Sequence, residues 1–257
     1  MMPQGNAGTM RLIIDAICDV GRVRSSNEDM LLIGNNRIRD GSCHVEHDLG
    51  ASLVPLLLAV ADGMGGQQGG KYASEIVLSR LSAAVKVMPL AFALDKTRNF
   101  LGETLMDINA VLLEEGTVRP DRAGMGSTLV AILFYGNAII SLNIGDSRLY
   151  RLRGGILTQL SRDHSLVDVM GDSGLPKNII LRSLGASKGV HFDMEDMTAR
   201  FGHGDAILLC SDGLTNELSV EEMEAIVASG GAAQLVNAAN EKGGRDNISV
   251  ITARLIE

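Results

Sequence analysis

Four short acidic clusters, strung from one end of the chain to the other, constrain its fold more than any other feature. They are Asn27-Glu28-Asp29, Asp62-Gly63-Met64-Gly65-Gly66, Ser211-Asp212-Gly213 and Gly244-Arg245-Asp246-Asn247. Asp62 follows the apolar run Leu56 to Ala61, and Asp212 follows Ile207-Leu208-Leu209-Cys210 and Ser211. Asp246 stands just before the apolar stretch Ile248 to Leu255. A single Asp-Gly pair reads as an ordinary turn. Three aspartates at strand edges, each next to or close to glycine, read as a shared task, because a rigid strand can aim a carboxylate while glycine lets backbone approach. Carboxylates repel one another, and hard divalent cations such as Mg²⁺ or Mn²⁺ are the usual reason to gather them. The fold must then close the whole chain around one site, which favours a single domain over residues 1–257.

Hydrophobic periodicity supplies the architecture. Arg11 to Cys18, Met30 to Gly34 and Leu56 to Ala61 read as early strands. Thr128 to Tyr135, Ala138 to Ile144 and Arg148 to Arg153 form a meander turned at Gly136-Asn137 and Gly145-Asp146-Ser147. His191 to Arg200, Ala206 to Cys210 and Ile248 to Leu255 complete the β content. Ala73, Val77, Leu81 and Ala84 recur at helical spacing, as do Leu101, Leu105, Ile108 and Leu112. Two shorter helices are expected after Asp212, one opened by a Ser219/Glu222 capping box and one from about Ala232 to Asn240. Strands mostly follow strands, which argues against a doubly wound parallel sheet. The expected class is α+β, a four-layer α-β-β-α sandwich of two antiparallel sheets flanked by helix pairs. Residues 1–10 are expected to be flexible, and 35–52 and 167–178 to be surface excursions.

Composition narrows the function classes. A net charge of −8 argues against a nucleic-acid backbone as the main partner and suits a cation site. Three cysteines without a CxxC motif imply no disulfide framework, consistent with a reducing, cytoplasmic setting. No apolar stretch is long enough for a membrane span. Trp is absent and aromatics make up 3%, so the core must be aliphatic.

The segment Gly21 to Asp29 adds Arg22 and Arg24 to the acidic inventory. An arginine beside a cation centre suits a phosphoryl substrate, whose oxygens match the planar guanidinium fork; alone, the pair would read as surface arginines. Arg24 with Asn27-Glu28-Asp29, Asp62 to Gly66, Gly126-Ser127-Thr128, Gly145-Asp146-Ser147-Arg148, Asp163-His164-Ser165-Leu166, Ser211-Asp212-Gly213-Leu214 and Gly244-Arg245-Asp246-Asn247 run in one order over nearly the full chain. In that order the pattern resembles the metal-dependent protein phosphatase family, the type 2C serine/threonine phosphatases in their bacterial form.

The resemblance implies hydrolysis of phosphoserine and phosphothreonine by direct attack of a hydroxide held between two Mg²⁺ or Mn²⁺ ions. By that analogy Asp62 bridges both metals, Asp212 and Asp246 complete the first, and Glu28 and the Gly63 carbonyl serve the second. Asp29 would hold metal-bound water, Arg24 would grip the phosphate, and Asp146 would join Asp212 at a third, looser metal. Partners would be phosphorylated proteins, with a serine/threonine kinase as the opposing activity.

The sequence also departs from the family pattern. Gln67 stands where bacterial relatives carry His, and Val167 to Lys177 is shorter than the usual flap before Asn178 and Arg182. The longer hairpin Asn35 to Ser52 holds Cys43, His44, Glu46, His47 and Asp48, which match no zinc spacing and fit a polar loop. His164 could serve as a general acid, but a structural hydrogen-bonding role is the commoner use. Two other readings remain open at this stage. One is a catalytically weak phospho-binding or partner-switch module on the same fold, and the other is a different dinuclear hydrolase such as a phosphodiesterase.

Overall fold

The computed structural model describes residues 10–50, 54–65, 68–89, 93–164 and 182–256. Gly66, Gln67, Ser165, Leu166 and the 167–178 segment, together with nearly all of 1–10, lie outside the described residues. Fourteen strands are described: β1 (Arg11–Asp19), β2 (Met30–Ile33), β3 (Asn36–Ile38), β4 (Gly41–Asp48), β5 (Leu56–Ala61), β6 (Gly63–Met64), β7 (Gly126–Ser127), β8 (Leu129–Tyr135), β9 (Ala138–Ile144), β10 (Arg148–Arg153), β11 (Ile156–Gln159), β12 (Asp193–Asp196), β13 (Ala206–Cys210) and β14 (Ile248–Ile256). The described helices are α1 (Gly69–Lys86), α2 (Leu94–Val118), α3 (Asp212–Thr215), α4 (Val220–Ser229) and α5 (Ala232–Glu241).

Two six-stranded antiparallel sheets form the centre, in the orders β11-β10-β13-β14-β1-β4 and β12-β9-β8-β5-β2-β3. The β5 run Leu56 to Ala61 shows why its apolar pattern is continuous rather than alternating. Leu57, Ala59 and Ala61 pack under α1 and α2, whereas Leu56, Leu58 and Val60 face the other sheet. Likewise Ala206, Leu208 and Cys210 of β13 pack under α4 and α5, while Ile207 and Leu209 face inward. β5 and β13 are thus buried on both faces, and the expected four-layer α-β-β-α sandwich is the observed one.

Helix α1 buries Ala73, Val77 and Leu81, and α2 buries Leu101, Leu105, Ile108 and Leu112, on the faces their spacing predicts. The capping box at Ser219 and Glu222 is formed in both directions.

Two expectations differ from the structure. The 35–52 segment is more than a surface excursion: it carries β3 and β4, and β4 pairs with β1 from Arg11↔Asp48 to Cys18↔Gly41. Its polar residues concealed a strand because β4 is an edge strand with one face in solvent, where Ser42, His44 and Glu46 need no apolar side chain. The expected strand His191 to Arg200 shrinks to β12, and Thr198–Arg200 forms a 3₁₀ turn. There the Thr198 hydroxyl and N–H donate to the Asp196 carboxylate, a local bond that competes with the ladder.

Candidate metal centre

One end of the sandwich gathers the carboxyl ends of β1, β5, β9 and β13 with the start of β14, so the acidic clusters meet there. Asp62 leaves β5 with its backbone fixed: its N–H donates to Thr128 Oγ1 at 3.1 Å and its carbonyl accepts from Thr128 N–H at 2.9 Å. The Asp62 carboxylate is pushed well above the ordinary range by burial and then by Asp29, Asp212, Asp146 and Asp246. Asp212, the first residue of α3, lies within hydrogen-bond reach of the Asp62 carboxyl and accepts from Asn216 Nδ2 at 3.0 Å. Burial and then Asp246 raise it too. The expected ligands Asp62, Asp212, Asp246 and Asp146, together with Asp29, therefore share one electrostatic environment.

Asp29 is buried, and Ser211 Oγ donates to its Oδ2 at 2.8 Å. Burial nevertheless pushes it up to about 7. Asp146, at the β9–β10 turn, is likewise pushed up to about 7 by burial and then by Asp212. Its Oδ1 is buried with no hydrogen-bond partner. A carboxylate oxygen in that condition wants a cation or a proton.

Glu28 and the Gly63 carbonyl converge at the start of α1. A Cβ placed on Gly70 would stand 2.6 Å from Gly63 O and 2.7 Å from Glu28 Oε2, so only glycine leaves room for the two oxygens to meet. Burial raises Glu28, partly offset by Arg24. Arg24 Nη2 donates to Asp246 Oδ2 at 2.7 Å, the one ion pair to any of these acids among the described residues. Burial would lower the Arg24 guanidinium, but Asp246, Glu28 and Asp62 outweigh it and hold it charged.

The donor set is all oxygen, with carboxylates well in excess of the one arginine paired to them, which fits Mg²⁺ or Mn²⁺ and not a thiolate-seeking metal. Among the described residues no three acidic, histidine or cysteine side chains already enclose a single ion. A centre that keeps several waters per ion needs no such cage.

Other groups take the roles their geometry allows. His164 is buried; its Nδ1 accepts from Gly145 N–H at 3.2 Å and its Nε2 faces Asp193 Oδ2 at 3.2 Å, so it braces the turn that carries Asp146. His44 pairs with Asp15 at 2.8 Å, and no metal-holding group forms around β4 among the described residues. Composition and spacing missed Ser74, whose hydroxyl donates to the Glu28 carbonyl at 2.5 Å. They also left Asn247 without a role. Its Oδ1 accepts from Glu28 N–H at 2.9 Å, and its Nδ2 donates to Val20 O at 2.9 Å and Ser26 O at 3.0 Å. Its place beside Asp246 was the available signal.

An α-β-β-α sandwich with an oxygen-rich centre at one end defines a class of metal-dependent hydrolase. The family described as protein phosphatase 2C matches residues 33–249. The serine/threonine phosphatase Stp of Listeria innocua is 34% identical over 248 residues, covering 91% of this chain and 92% of its own. An S. agalactiae serine/threonine phosphatase superposes with a TM-score of 0.81 at 29% identity, covering 96% of this chain and 100% of its own. The catalytic domain of the phosphatase PstP, in complex with two manganese ions, superposes with a TM-score of 0.76 at 32% identity, covering 97% of this chain and 100% of its own. The chain belongs to the protein phosphatase 2C family of serine/threonine phosphatases.

Proposed function

We propose that this protein removes phosphate from phosphoserine and phosphothreonine in a Mn²⁺- or Mg²⁺-dependent reaction, acting on phosphorylated proteins in opposition to a serine/threonine kinase in the cytoplasm. The observation that carries the reading is the meeting of Asp29, Asp62, Asp146, Asp212 and Asp246 at one buried, carboxylate-crowded place beside Arg24. Asp62, Asp212 and Asp246 would hold one ion, Asp62, Glu28 and the Gly63 carbonyl a second, and Asp146 with Asp212 a third. Such ions, when bound, acidify water and neutralise phosphoryl oxygens.

The residues supply the rest. Arg24 is half exposed and paired with Asp246; a phosphate entering the site offers it a bidentate partner, so the side chain exchanges one anion for the other. Asp29 is buried with its Oδ2 accepting from Ser211 Oγ, and its carboxylate would take a proton from the attacking water. Asn216 Nδ2 donates to Asp212 Oδ2 at 3.0 Å and so limits the orientations of the carboxylate that would hold the ion.

Hydrolysis of p-nitrophenyl phosphate and of a phosphothreonine peptide should require Mn²⁺ or Mg²⁺, stop with EDTA and fall by on the order of 10³ in Asp212→Asn. A wild-type chain inactive with every divalent cation would sink the enzyme reading. Preference for a phosphodiester would replace it with a different hydrolase.

A further inference from the structure

The chain crosses from one sheet to the other between β3 and β4, and it does so at the end where the acidic centre lies. Ile38 pairs with Leu31 just inside Met30, and Gly41 pairs with Cys18 near the end of β1. Arg39 and Asp40 occupy the crossing, and both turn their side chains onto the Asn27-Glu28-Asp29 segment. Arg39 Nε donates to the Asp29 carbonyl at 3.1 Å, and its Nη2 reaches the Lys71 carbonyl at 2.8 Å and Ser74 Oγ at 2.9 Å. Ser74 in turn donates to the Glu28 carbonyl. Asp40 Oδ1 accepts from Asn27 Nδ2 at 2.9 Å, and Asn27 Oδ1 accepts from Asp29 N–H at 3.1 Å. All three residues of the segment are therefore tied, through backbone groups or the Asn27 amide, to Arg39, Asp40 and Ser74.

Backbone conformation gives a second, separate observation. Asp40 has φ 55°, the one non-glycine residue with positive φ among the described residues. A left-handed aspartate is held against its own preference by its surroundings, and such residues concentrate where geometry serves a site. Glycine would fit there without strain, yet the position carries a carboxylate that makes a hydrogen bond to Asn27.

We infer that the Arg39-Asp40 crossing is a positioning device for the metal centre, setting Glu28 and Asp29 against the start of α1 so that Glu28 Oε2 meets the Gly63 carbonyl beside Gly70. The inference rests on the metal-dependent phosphatase reading above. It assigns a task to a hairpin that the sequence marks only as longer than usual. Partners that orient ligands in this way typically govern metal affinity by 10- to 100-fold.

The test is calorimetric titration of Mn²⁺ into the full chain as wild type, Arg39→Lys, Asp40→Asn and Asp40→Gly, with melting temperatures measured in EDTA. Asp40→Gly removes the strained backbone along with the hydrogen bond. Its metal-free melting temperature should stay at or above wild type while Mn²⁺ affinity falls about ten-fold. Asp40→Asn keeps an acceptor and tolerates the left-handed conformation, so its affinity should match wild type. Arg39→Lys loses the fork that spans Asp29, Lys71 and Ser74, and should weaken Mn²⁺ by about ten-fold with kcat retained at saturating metal. Wild-type Mn²⁺ affinity in both Asp40→Gly and Arg39→Lys would overturn the inference and leave the phosphatase reading standing. A fall in affinity that tracks a fall in metal-free melting temperature would reduce the crossing to a fold element and overturn it as well. A wild-type chain that binds no Mn²⁺ would overturn both readings.

Discussion

Asp62 and Glu28 reach the same centre on different supports. Asp62 continues directly from β5, a strand paired on both sides by β2 and β8, and Thr128 closes its N–H and its carbonyl. Glu28 sits in the connection between β1 and β2, where no ladder runs. Its N–H is held by Asn247, its carbonyl by Ser74, and its neighbours by Arg39 and Asp40. A ladder spreads the work over many backbone bonds, so losing one side chain barely moves the residue it aims. A loop pinned by four side chains gives up its geometry when one pin is removed. Defects on the loop side should therefore appear as weak metal and phosphate binding in a folded protein.

The largest effect is expected at Gly70, where the two supports meet. Gly70→Ala would place a methyl 2.6 Å from Gly63 O and 2.7 Å from Glu28 Oε2. Gly63 itself is held in β6 between Asp62, bonded to Thr128, and the pair Met64↔Gly126, so its backbone has little room to move and the Glu28 side chain must swing away. Mn²⁺ affinity should fall by about 100-fold, read by calorimetry. An unchanged affinity would mean that Glu28 does not serve the centre.

A smaller effect separates the supports directly. Asn247→Ala leaves Val20 O, Ser26 O and Glu28 N–H without the partner each has now. It should cost about 1–3 kcal/mol of stability and raise the Mn²⁺ half-saturation about ten-fold, with a higher KM because Arg24 rides on the same loop. Thr128→Val removes the hydroxyl that accepts from Asp62 N–H and meets Ser147 Oγ at 2.8 Å. It should destabilise by about 1–2 kcal/mol but leave the Mn²⁺ half-saturation near wild type, because β5 still aims Asp62. Equal shifts in half-saturation for the two variants would erase the distinction.

The same division explains what could be read from the sequence. Asp62 and Asp212 stand out as Asp-Gly pairs at or near strand ends and Asp246 as an acid between Gly243-Gly244 and an apolar strand, all patterns of local backbone chemistry, and apolar runs such as Leu56 to Ala61 mark strands buried on both faces. Helices α1 and α2 are legible from spacing alone. The short helix α3 is not, since a single turn beginning at Asp212 carries no periodicity. The strand β4 is hidden by its polar, solvent-facing residues. The pins of the Glu28 loop are hidden for another reason: Asn247 and Glu28 are 219 positions apart, and a polar residue announces nothing about which distant backbone it will bond. Arg39 and Asp40 read as hairpin polarity until the crossing places them behind Asn27.

Protonation offers a finer test, because charge crowding acts on both supports at once. Asp29 on the loop side and Asp146 at the end of β9 are each pushed up to about 7, mainly by burial, against about 3.9 for an unfolded aspartate. Between roughly pH 4 and pH 7 the metal-free folded chain thus holds protons that the unfolded chain has released. Stability without metal should fall as pH rises through that window and level off above it. Glu28, Asp62 and Asp212 are raised as well and act in the same direction. Asp205 and Glu217 are lowered instead: burial opposes the Arg153 contact at Asp205, and Arg245 leads at Glu217. Their contribution is lost only at more acidic pH, outside the window. In EDTA the melting temperature should therefore be several degrees higher at pH 5.5 than at pH 8, and Asp146→Asn should narrow the gap by removing one titrating group from the ladder side. Saturating Mn²⁺ should reverse the slope, since cations compete with those protons for the same oxygens. A metal-free melting temperature that rises from pH 5.5 to pH 8 would mean the carboxylates are not crowded as the geometry places them.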